Sequence, residues 1–121
     1  MGKVLNKYPS EHQEQVALIN WFRLNYPQFV IVAVPNGGNR NLIEAKKLKE
    51  EGVLKGFPDI AIFLKYPKVI LLEMKKQKGG VVSKEQKKVH QKLSDLGHTV
   101  IVGYGFIDAK NKIEELLNEN T

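Results

Sequence analysis

The sequence predicts an α/β domain with a small mixed sheet flanked by helices. Helix-start signatures alternate with short apolar runs in the order αβαββαβα. Those runs are apolar at nearly every position, as strands covered on both faces are. The length of 121 residues suits a single core, so residues 1–121 read as one domain, with no internal repeat or low-complexity linker.

Each element has its own signal. Residues 1–9 show no period and read as a lead-in. Ser10 and Gln13 match a capping box, and Ala17, Leu18, Trp21, Phe22 and Leu24 give the following helix an apolar face that ends at Tyr26-Pro27. The Trp21-Phe22 pair is expected to pack this helix onto the sheet or a partner subunit. Phe29 to Val34 is a β-branched run closed by the turn Pro35-Asn36-Gly37-Gly38. Asn41 and Glu44 open a Lys/Glu-rich helix running to about Glu51. Asp59 to Leu64 and Val69 to Lys75 are strands joined by four residues, a spacing that suits a hairpin. After Gly79-Gly80, Ser83 and Gln86 repeat the capping box, and the helix runs to Leu96 with Gly97 as its C-cap. Thr99 to Val102 is a short strand, and Asp108 to Leu117 a final helix.

Composition excludes several classes. With no cysteine, neither a disulfide nor a cysteine metal site exists. His12, His90 and His98 share no metal-ligand spacing and are expected at the surface or at helix caps. No glycine-rich phosphate loop follows a strand, and no apolar run is long enough to span a membrane. The expectation is an intracellular protein. The net charge of +6 allows a polyanionic partner. That excess maps to residues 75–92, where seven lysines face one acid, Glu85. Lys84, Lys87, Lys88 and Lys92 fall near one helix face, which is either a solvated surface or a DNA-backbone track.

The strand Val69-Ile70-Leu71-Leu72-Glu73-Met74-Lys75 carries charges where a core strand should have none. Glu73 and Lys75 share a face, and ionised groups there need a partner or a metal. Across the hairpin, Asp59 would meet Glu73. Two carboxylates beside an ammonium suit Mg²⁺, with Mn²⁺ as a substitute. Such an ion neutralises a scissile phosphate and acidifies water, and Lys75 would orient or help deprotonate that water. Arg40, just after the first strand and near Asn36, offers a phosphate contact.

Pro58-Asp59 followed by Glu73-Met74-Lys75 resembles the PD-(D/E)XK nuclease superfamily. More of the chain resembles its virus-type replication-repair (VRR-Nuc) branch: Glu11 and Gln15 on the first helix, Asn36 and Arg40 at the turn, Gly56-Phe57-Pro58-Asp59, and Ser83 to Gln86. The likeness runs from about Ser10 to Val102. It implies a restriction-endonuclease-like αβββαβ core and a Mg²⁺-dependent DNA endonuclease. Glu11, Asp59, Glu73, Lys75 and Gln86 would be catalytic. Glu11, Asp59, Glu73 and the Met74 carbonyl would hold metal, with Glu14 competing for the role of Glu11. Gln15, Asn36, Arg40, Lys76, Lys84, Lys87 and Lys88 would bind substrate. Gln86 has a second explanation as a capping residue. The likeness also implies a homodimer acting on branched or Holliday-junction DNA, with viral or prophage origin placing it in bacterial or host cytoplasm. The rivals are a nicking or restriction-like nuclease, one acting on RNA, and a non-catalytic nucleic-acid-binding module.

Overall fold

The computed structural model describes residues 8–35 and 41–119. Its elements are α1 (Glu11–Asn25), β1 (Val30–Ala33), α2 (Leu42–Glu50), β2 (Ile60–Phe63), β3 (Val69–Lys75), α3 (Lys84–Asp95), β4 (Thr99–Tyr104) and α4 (Phe106–Glu119). The order is the αβαββαβα expected. The sheet runs β1-β2-β3-β4, antiparallel at the first two pairings and parallel between β3 and β4, where α3 provides the crossover. Without α2 and α4 this is the αβββαβ core. Among the described residues no helix is long and apolar enough to cross a membrane.

Local chemistry explains where the helices begin. Ser10 accepts a hydrogen bond from the Gln13 amide at 3.1 Å, and the Gln13 side chain accepts one from Ser10 N–H at 2.9 Å. Ser83 and Gln86 repeat the arrangement at 3.1 and 2.8 Å, and Asn41 caps α2 through the Glu44 amide at 2.8 Å. Each box satisfies amides that the first helical turn leaves unpaired.

Alternation along the strands then separates two faces. Ile31, Ile60, Ile62, Ile70, Leu72 and Met74 point to one side and form the core with Leu18 and Phe22 of α1 and Ala109 and Ile113 of α4. Burying each large side chain stabilises by about 1.5–3 kcal/mol. Trp21 packs edge-on against Phe22, Tyr26 and Phe106, so it serves the α1–α4 contact within the chain. The opposite sheet face carries Glu73 and Lys75 and receives α3. On that face Val30, Val32 and Phe63 are exposed, Ala61 and Leu71 are buried, and α2 buries no residue.

The final helix starts two residues before the expected Asp108, for a non-local reason. The Phe106 amide donates to Glu14 Oε1 at 3.0 Å, so a carboxylate from α1 caps α4. Gly105 permits this approach: its φ is +91°, and a Cβ there would lie 2.7 Å from Glu14 Oε2. Glu14→Ala strips the cap and should cost about 1–3 kcal/mol in denaturant unfolding. Glu14→Gln keeps the acceptor and should cost clearly less. Equal losses would show that volume, not the cap, matters there.

Candidate active site

The β2–β3 register pairs Ile60 with Leu72, which sets Asp59 opposite Glu73 at the end of the hairpin. Both residues point to the α3 side of the sheet, as does Lys75. Asp59 Oδ2 accepts the Met74 amide at 2.9 Å, which ties the end of β2 to β3. In an extended strand the carbonyl of a residue faces the same edge as its amide, so the Met74 carbonyl also turns toward Asp59. The Lys75 ammonium stands 4.0 Å from Glu73 Oε2. The Gly56-Phe57-Pro58-Asp59 step passes close to α3. Gly56 has φ +93°, and a Cβ there would meet the Glu85 carbonyl at 2.7 Å.

Glu73 is 1% exposed, an unusual place for a carboxyl. Burial pushes its pKa up to about 9, the Asp59 carboxyl adds to the rise, and Lys75 opposes it. Two side chains from α3 hold it. Gln86 Nε2 donates to Glu73 Oε2 at 2.9 Å, while His90 Nε2 lies 3.4 Å from Oε1. Gln86 therefore closes the capping box through its oxygen and holds Glu73 through its nitrogen. The capping explanation holds, and the same side chain also reaches Glu73.

Glu11 stands at the start of α1, exposed but in the same field. Partial loss of water raises its pKa, Lys75 opposes that, Asp59 adds to it, and Lys76 opposes it. Glu14, the alternative, is committed to capping α4. A groove of about 670 Å³ is lined by Glu11, Asp59, Gln15, Asn20, Val34 and Pro35 among others. Gln15 is thus beside the carboxylates. Asn36 and Arg40 lie outside the described residues.

Three expectations change. His90, expected at the surface or a helix cap, packs against Glu73 with a side chain only 12% exposed. Its spacing from Gln86 was the available signal, because residues four apart share a helix face. Lys84, Lys87 and Lys88 were expected beside the site. They are exposed along α3 with Lys92; Lys84, Lys88 and Lys92 sit roughly opposite Gln86 and His90, while Lys87 lies about a quarter turn from them. The three carboxylates do not form a closed cage either. Among the described residues no three acidic or histidine side chains converge enough to hold an ion. What converges is the Asp59–Glu73 pair with the Met74 carbonyl. That donor set fits Mg²⁺, which keeps several waters and needs only one or two carboxylates.

No family profile matches the chain, and no curated protein sequence does either. Solved structures do. One, described as a "VRR_NUC domain protein", superposes with a TM-score of 0.73 at 23% identity, covering 91% of this chain and 89% of its own. Another, described as a "VRR_NUC domain", gives 0.62 at 17% identity over 88% and 97%. At these identities the likeness is one of architecture, and it spans almost the whole chain. The protein has the fold of the VRR_NUC domain.

Proposed function

We propose that this protein is a Mg²⁺-dependent nuclease, with Mn²⁺ substituting, that hydrolyses DNA phosphodiester bonds endonucleolytically. The observation that carries the reading is the Asp59–Glu73 pair beside Lys75, with Asp59 and Glu11 lining a groove open to a polymer. A carboxyl pair with one member buried and one ammonium beside it is costly to maintain without an ion to hold. Solved structures sharing the fold bear a nuclease-domain description, which adds to the reading.

Asp59, Glu73 and the Met74 carbonyl would hold the ion, with Glu11 supporting it from α1. When bound, it supplies charge neutralisation at the phosphate and acidifies water. Lys75 orients the attacking water, and Arg40 contacts a phosphate. Gln86 and His90 act through Glu73, keeping its oxygens aimed; they are positioning residues. Gln86→Ala and His90→Ala should each weaken Mg²⁺ activation about tenfold or more, as losses of groups behind a ligand do. The half-saturating Mg²⁺ concentration checks this, and an unchanged value in both variants would remove α3 from the site.

We place branched or junction DNA as the substrate and a homodimer as the working form. The exposed Val30, Val32 and Phe63 offer a second copy an apolar strip to cover. Four-way junctions, flaps, plain duplex and single strands, each incubated with Mg²⁺ or Mn²⁺, test the substrate. Sedimentation tests the dimer. Equal cleavage of all forms would sink the junction preference. Salt-sensitive binding with uncut DNA would favour a non-catalytic binding module instead.

A further inference from the structure

Glu11 has a cleft on each side, and the two differ in chemistry. On the Asp59 side the lining is neutral apart from the site acids, with no lysine or arginine among the described residues. On the other side a cleft of about 680 Å³ is lined by Tyr8, Pro9, Ser10, Lys76 and Lys78 as well as Glu11. Its charge is thus two ammoniums against one carboxylate, and that carboxylate belongs to the catalytic centre. Tyr8 is 42% exposed, and Lys78 Nζ lies 5.7 Å from its ring centre. An aromatic surface and two phosphate-binding cations therefore sit together at the edge of the site.

We propose that this second cleft binds a single-stranded DNA flank next to the scissile phosphate, with Tyr8 stacking an unpaired base and Lys76 and Lys78 contacting phosphates. The inference rests on the nuclease reading for its position relative to the cut. Stacking needs a base with a free face, which a duplex interior does not offer, and an aromatic platform with flanking cations is how single strands are gripped. The outer lysine face of α3 has the cations but no aromatic lining, and it points away from Glu73. The Tyr8 cleft has both, and it touches the site.

The test is metal-free binding of an oligonucleotide carrying 2-aminopurine, with blunt duplex as the comparison. Stacking on Tyr8 should quench the probe. Tyr8→Leu should relieve the quench and weaken single-strand binding about five- to a hundredfold, while Tyr8→Phe retains both. Lys76→Gln and Lys78→Gln should each lower the salt slope of single-strand binding by about 0.7. Duplex affinity should hold in both Tyr8 variants. The proposal is overturned if Tyr8→Leu binds single strands like the parent, or if it weakens duplex equally. Because cleavage is measured separately, an intact nuclease insensitive to Tyr8 fails only the cleft. Tyr8-dependent binding without any cleavage fails only the nuclease reading.

Discussion

Asp59→Asn should remove metal-dependent cleavage while leaving the fold intact. Loss of one of two ligand carboxylates takes away several kcal/mol of charge stabilisation, and about 4 kcal/mol corresponds to roughly a thousandfold in rate. The asparagine oxygen can still accept the Met74 amide, which Asp59 now does at 2.9 Å, so the end of the hairpin keeps its tie. Asp59→Ala loses that acceptor too and should cost about 1–3 kcal/mol of stability besides the activity. Comparing the two separates chemistry from folding. Lys75→Ala should reduce cleavage about 10²- to 10⁴-fold, the range for a side chain assisting proton transfer. Rates on DNA at saturating Mg²⁺, with unfolding curves for each variant, provide the check. Full activity in Asp59→Asn would refute the site.

Local chemistry made most of this legible beforehand. The capping boxes at Ser10 and Ser83 involve residues three apart, and their hydrogen bonds form as the spacing predicts. The Asp59–Glu73 meeting needed only a hairpin and its register. What stayed hidden depended on the third dimension. Glu14 caps a helix 92 residues away, which no local pattern encodes, and that shifts the start of α4 to Phe106. The exposed strip of Val30, Val32 and Phe63 looked like a strand covered on both faces, because β-branched runs read the same whether or not a helix covers them. The placement of the α3 lysines is a different matter. Helical phase already set Lys84, Lys88 and Lys92 away from Gln86, but nearness in sequence stood in for nearness in space.

Mg²⁺ should bind more tightly as pH rises, by about tenfold per unit through neutrality, and should release a proton as it does. Burial and the Asp59 carboxyl hold the proton of Glu73 far above the usual carboxylate range, so the metal-free pair retains one proton at pH 7. A cation must displace it, which links affinity to pH. Without metal, stability should run the other way. A carboxyl whose folded pKa is raised contributes fully below its unfolded value near 4.5, and that contribution fades as pH rises toward about 9. Raising pH therefore weakens the empty fold, while the Mg²⁺ increment grows to match, so the loaded fold stays nearly level. Glu73→Gln separates the two effects. It is neutral at every pH, so it should flatten the metal-free stability slope and abolish Mg²⁺ stabilisation together. Unfolding curves at pH 5.5, 7 and 8.5 with and without MgCl₂, and calorimetry in buffers of different ionisation enthalpy, measure both slopes and the proton. Parallel curves for parent and Glu73→Gln would mean that Glu73 is an ordinary ionised carboxylate, and the pair would then have to bind its cation without proton release.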